Sequence, residues 1–205
     1  ALILLCLPTL SASQGAYTVG EDGQYQTFEA LRAALESAAD LPSAITIELT
    51  SDIEGSLILK NSLPSNLTSL TIDGQGHTII TSAPYVSISN DPGSPIQNIT
   101  VKDLSLRNDN SFYSAQSITL TFEGNCFIQS DSSAVEIVGA TIVVAKGAQL
   151  TTVSSSDGFF LLGGTLQVDG SLSVSSGGIG IWSGTNFAIP DDFSIVIGEG
   201  AELSV

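Results

Sequence analysis

One four-residue phrase recurs along this chain and constrains its fold more than any other feature. It alternates apolar and polar residues at Ile45-Thr46-Ile47-Glu48, Leu70-Thr71-Ile72-Asp73, Ile99-Thr100-Val101-Lys102 and Ile118-Thr119-Leu120-Thr121. Val135-Glu136-Ile137-Val138 is a degenerate fifth copy, and the successive spacings are 25, 29, 19 and 17 residues. Strands containing Phe160, Ile181 and Ile195 extend the series at a similar interval. Short alternating runs bounded by Gly, Asn, Asp and Ser are half-buried strands. A strand phrase that returns at irregular but similar intervals predicts a solenoid, in which each coil adds a strand to a parallel sheet and coil length varies in the loops. Further alternating runs at Leu57/Leu59, Leu166/Val168 and Leu172/Val174 give each coil two or three strands. The expectation is an all-β, triangular parallel β-helix over residues 44–205, with aliphatic ladders inside and coils that continue beyond Val205.

Only one segment has helical period. From Thr27 to Ala39 it places Phe28, Leu31 and Leu35 on one stripe. Thr27 is the expected N-cap, Glu29 lies in the first turn, and Arg32 is within reach of Glu29 and Glu36. Asp40 and Pro42 stop the helix. A bare solenoid end exposes apolar side chains and unpaired strand groups. The strand at Tyr17–Val19 and this amphipathic helix therefore form an N-terminal cap over residues 16–43.

Residues 1–15, ALILLCLPTLSASQG, combine an apolar run, a proline and small residues. This is the pattern of a secretory signal peptide whose start is missing, with cleavage expected after Ser13 or Gly15. Cys6 then belongs to the leader and Cys126 stands alone in the mature domain, so no disulfide framework is expected. Asn66-Leu67-Thr68 and Asn98-Ile99-Thr100 are N-glycosylation sequons. The expected location is secreted or cell-surface.

Composition narrows the function. The 205 residues carry 21 acids and five basic residues, a formal net charge of −16, and the cations Arg32, Lys60, Lys102, Arg107 and Lys146 are scattered singly. Nucleic-acid binding and attraction to anionic lipid both need clustered positive charge, so both are excluded. No apolar run approaches the length of a membrane span. With one histidine and so few cations, little material remains for general-base or oxyanion chemistry. No cofactor or metal motif is present.

The segment Ser69-Leu70-Thr71-Ile72-Asp73-Gly74-Gln75-Gly76-His77-Thr78-Ile79 resembles the early coils of the pectate-lyase-like superfamily of right-handed parallel β-helix proteins. Tyr17-Thr18-Val19, Asp22-Gly23, Gln26-Thr27-Phe28 and the helix are similar to that superfamily's N-terminal caps. The resemblance implies a right-handed β-helix. It also implies one of several roles: polysaccharide lyase, pectin esterase, polygalacturonase, phage tailspike, or secreted adhesin-like surface protein. Lyases of this fold use a basic residue to abstract a proton beside acids that hold calcium. The only residues here that could form such a cluster are Asp73, Asp103, Lys102 and Arg107. The polygalacturonase set is absent, since no basic residue follows Lys146.

Other candidates have simpler readings. Asp73-Gly74 and Gly76 form a coil corner, and His77 starts the next strand. Asp191-Asp192 follow Pro190 in a solvated turn. Thr46, Thr71, Thr100 and Thr119 should stack as an outer column, which suits polysaccharide or ice binding, although β-branched residues also simply suit exposed strands. A second column of Glu48, Asp73, Lys102 and Thr121 would break an ice-like lattice. Tyr25, Tyr85, Tyr113 and Trp182 are candidate sugar platforms, Trp182 foremost. The favoured function is a non-enzymatic, adhesin-like module with a polysaccharide or cell-surface glycan as partner. A diverged lyase or hydrolase and an ice-binding face are the alternatives.

Overall fold

Each alternating phrase forms a strand, and every strand pairing among the described residues is parallel and joins coils rather than neighbours within a coil. The protein is described by a computed structural model covering residues 15–183 and 193–205. In chain order the elements are β1 (Ala16–Val19), α1 (Phe28–Ser37), β2 (Ala44–Leu49), β3 (Ile53–Glu54), β4 (Leu57–Leu59), β5 (Ser69–Asp73), β6 (Thr78–Asn90), β7 (Asn98–Lys102) and β8 (Ser105–Ser114). They continue with β9 (Thr119–Glu123), β10 (Asn125–Ser130), β11 (Val135–Val144), β12 (Gln149–Ser154), β13 (Phe159–Val168), β14 (Ser171–Ser176), β15 (Ile181–Ser183), β16 (Phe193–Ile197) and β17 (Glu202–Ser204). The result is the expected parallel β-solenoid, of about six turns.

Three faces run along the solenoid. Face A stacks β1, β2, β5, β7, β9, the second half of β11, the second half of β13, and β16. Face B stacks the first halves of β6 and β8 with β10, β12, β14 and β17. Face C stacks β4, the second halves of β6 and β8, the first halves of β11 and β13, and β15. Strands β6 and β8 thus bend from B to C, and β11 and β13 bend from C to A. The fifth copy of the sequence phrase, at Val135–Val138, lies on face C. The face-A rung of that coil is Thr141–Val144. Both segments alternate in the same way, so the pattern alone does not say which face a strand joins.

The core is built from register-matched ladders. Ile45, Leu70, Ile99, Leu120, Ile142 and Leu166 form one on face A. Tyr17, Ile47, Ile72, Val101, Phe122, Val144 and Val168 form the next, and all are buried. Burying each such side chain is worth about 1.5–3 kcal/mol. Face C contributes Leu57, Ile88, Phe112, Val135 and Phe159.

Helix α1 forms as expected. The Thr27 hydroxyl accepts from the Ala30 N–H at 3.2 Å, Arg32 Nε lies 3.8 Å from Glu36 Oε1, and Phe28, Leu31 and Leu35 are buried. At the other end, Ile195 and Ile197 pair with Leu166 and Val168 yet are 44% and 47% exposed, so the inner ladder reaches β16 without being covered there.

Part of the acidic excess is structural. Asp52 Oδ1 accepts from Thr78 N–H at 2.8 Å, Asp103 Oδ1 from Asn125 N–H at 2.9 Å, and Asp157 Oδ1 from Ile179 N–H at 3.0 Å. Each bond ties a corner to the following coil. A carboxylate is a stronger acceptor for a backbone N–H than a neutral oxygen, which suits aspartate to these corners.

Candidate functional site

Outward side chains on face A form three columns. The central one runs Thr46, Thr71, Thr100, Thr121, Val143 and Gln167. One flank runs Ser69, Asn98, Thr119, Thr141, Thr165 and Ser194, nearly all hydroxyls. The other flank runs Thr18, Glu48, Asp73, Lys102 and Glu123. The expected Thr column is therefore corrected at its last member. Thr119 pairs with Asn98, and Thr121 takes the place beside Thr100. A two-residue slip leaves every side chain on its original face, so Ile118-Thr119 and Leu120-Thr121 are indistinguishable by alternation. The slip puts Thr119 in the uncharged flank and brings Glu123, in place of Thr121, beside Lys102 in the charged one.

The expected lyase-like cluster divides. Asp73 and Lys102 do meet, with Nζ to Oδ2 at 2.6 Å. Asp73 is buried and also accepts from the Gln75 N–H at 3.2 Å. The hydrogen bond from Lys102 to Asp73, reinforced by the charges of Asp73, Asp103 and Glu123, raises the lysine pKa above its ordinary value. An amine held protonated in this way is a poor proton abstractor. Asp103 caps the next corner. Arg107 lies on face B, with its guanidinium carbon 6.0 Å from the centre of the Phe127 ring.

The remaining candidates are dispersed. Trp182 lies on face C and packs edge-on to Phe160, with ring centres 4.6 Å apart. Glu136 and Tyr113 continue that outward row. Tyr25 is buried against Tyr17. His77 lies in the corner, one residue before β6 rather than opening it, its backbone N–H donating to Gly74 O at 2.8 Å and its Nδ1 3.5 Å from Asp52 Oδ1. It borders an acidic cleft of about 690 Å³ with Glu21, Asp52 and Glu54. Asp191-Asp192 and the side chain of Tyr85 lie outside the described residues.

Cys126 is buried, with Sγ 3.3 Å from Glu123 O and 3.5 Å from Val101 O. Burial pushes the thiol pKa up, which keeps it protonated and unreactive. Iodoacetamide at neutral pH is expected to leave Cys126 unmodified in the folded protein and to label it fully in denaturant, as read by peptide mapping. Labelling of the folded chain at the rate of a free thiol would contradict this environment.

The structure also forms a groove that sequence reasoning missed. It lies at the corner where face A begins and encloses about 430 Å³, lined by Ser94, Gln97, Asn98, Gln116, Ser117, Ile118, Thr119, Gly139 and Thr141. None of these side chains is ionisable. A smaller groove of about 350 Å³ lies at the A–B corner, with Asp103, Asn125, Phe127, Gln149 and Thr151. The one available signal was a polar residue just before the first apolar residue of successive rungs, at Ser69, Asn98, Thr119 and Thr141.

Parallel strands wound into three faces define a parallel β-solenoid. The chain belongs to the family described as "Putative pectate lyase-like adhesive domain", which matches residues 25–138, more than half of its length. No curated protein and no solved structure matches the chain. The resemblance to the pectate-lyase-like superfamily is thereby borne out, the Asp73–His77 corner lying within the matched residues, and the chain is an adhesin-like β-helix module. No described helix is long and apolar enough to cross a membrane.

Proposed function

We propose that this module is displayed at a cell surface or secreted, and that it holds an uncharged glycan without cleaving it. The observation that carries this reading is the pairing of an adhesive family assignment with an outer face rich in neutral hydroxyls and amides. Sugar hydroxyls are recognised by such groups at modest net energy per bond, about 0.5–1.5 kcal/mol, so affinity is gained over many parallel contacts. A face repeated coil after coil supplies them. The net charge of −16 disfavours pectate-like polyanions. Lys102, the cation nearest to a lyase base, is paired with Asp73.

An ice-binding face has less support. Val143 and Gln167 interrupt the central column, and Asn98 interrupts its flank. The adhesive reading is tested by incubating the purified chain with insoluble polysaccharides and measuring both retained protein and soluble products. Retention on a neutral polysaccharide without product is expected.

A further inference from the structure

We infer that the uncharged groove at the start of face A is the glycan site, and that it takes a neutral polyhydroxyl chain lying along the solenoid axis. This rests on the glycan-binding reading above and gives it a location, a ligand class and a direction.

Three observations converge. The first is charge. In a chain with 21 acids, a cleft of this size lined by no ionisable side chain stands apart from the acidic cleft beside His77. Cations find no carboxylate in it and anions find no counter-charge. A ligand of hydroxyls matches a lining of amides and hydroxyls.

The second is a rigid floor with unspent partners. Gln116 is fixed to the preceding coil: its Nε2 donates to Ser94 O at 2.9 Å and its Oε1 accepts from Gly93 N–H at 3.2 Å. Around it, the side chains of Gln97, Ser117, Thr119 and Thr141 make no hydrogen bond among the described residues. Gln97, Ser117 and Thr141 are exposed. The backbone is already satisfied, with Thr119 N–H on Gln97 O at 2.8 Å and Thr141 N–H on Ile118 O at 2.9 Å. The free side-chain groups are therefore available without breaking the fold.

The third is spacing. Asn98, Thr119 and Thr141 are register partners on successive rungs, which repeat about every 4.8 Å. That is close to the length of one pyranose unit in an extended chain. A chain parallel to the axis meets one rung per sugar, so affinity should climb up to about three sugars and then level off.

The test uses the chain made in bacteria, so that the Asn98 sequon is unmodified. Binding of β-1,4-linked gluco- and manno-oligosaccharides of increasing length is measured by calorimetry, with oligogalacturonides as the acidic comparison. The variants are Thr119→Val with Thr141→Val, which keep the β-branched shape, Gln97→Ala at an exposed position, and Ser175→Ala on face B as the control. The expected result is binding of a neutral series but not the acidic one. The double variant should weaken it by about tenfold or more, about 1.4 kcal/mol, and Gln97→Ala by a few-fold, with Ser175→Ala unchanged. Wild-type binding that neither groove variant weakens would overturn the location and leave the glycan reading standing. Failure of the wild-type chain to bind any neutral oligosaccharide would overturn both.

Discussion

Replacing Phe122 by alanine is expected to lower the unfolding free energy by about 3–5 kcal/mol, the range for emptying a buried aromatic site. Phe122 is fully buried on β9 and lies between Val101 and Val144 in its ladder. Both neighbours are smaller, so neither can close the void without shifting its own rung. In a solenoid each repeat contacts only its neighbours, so the loss falls on two adjacent interfaces in mid-stack. Urea unfolding followed by far-ultraviolet circular dichroism measures it. Phe122→Leu should cost markedly less, since most of the volume remains. An alanine variant within about 1 kcal/mol of the parent would contradict the position assigned to Phe122 in the core.

The second large effect is expected at Gly164, where β13 turns from face C to face A. Its φ is +98°, and an added Cβ would lie 2.0 Å from the Ala140 carbonyl oxygen of the preceding coil. That carbonyl is backbone within a paired strand and cannot swing away as a side chain could. Gly164→Ala therefore combines backbone strain of about 1–3 kcal/mol with a clash that forces two coils apart. Gly147 separates these terms: its φ is +80°, but nothing lies within 4 Å of its added Cβ. Gly147→Ala should show the conformational cost alone, about 1–2 kcal/mol. Thermal midpoints should fall clearly further for the Gly164 variant. Equal shifts would contradict the close approach of the two strands at this corner.

What was legible in the sequence had a local physical cause. The stripe of Phe28, Leu31 and Leu35 and the Thr27 cap need only residues three or four apart, and both were readable. Alternation at Ile45/Ile47 and Leu70/Ile72 reported which side chains point inward, because that depends only on the period of a strand. Register does not, and so alternation alone puts Thr119 beside Thr100, whereas its partner is Asn98. The assignment of Val135–Val138 to face C also depends on how the chain turns at Gly139, which the alternating pattern does not encode.

The candidate site was harder still. Gln97, Gln116 and Ser117 sit at corners with no periodicity, and they become neighbours of Thr141 only when three coils stack. The Asp52, Asp103 and Asp157 bonds span coils in the same way. Each joins residues 22 to 26 positions apart, so no local pattern marks these aspartates as ties between coils. The two acidic residues of the expected cluster, Asp73 and Asp103, are instead occupied in holding corners and, at Asp73, in pairing Lys102.

Glycan binding without cleavage is the function proposed for this β-helix. It is tested most directly by incubating the purified chain with a panel of insoluble neutral and acidic polysaccharides. Bound protein and released reducing ends or unsaturated uronides are then measured in the same samples. Saturable retention on a neutral polysaccharide, with no product above the protein-free control, is the predicted result. Product that accumulates in proportion to time and protein concentration would contradict it.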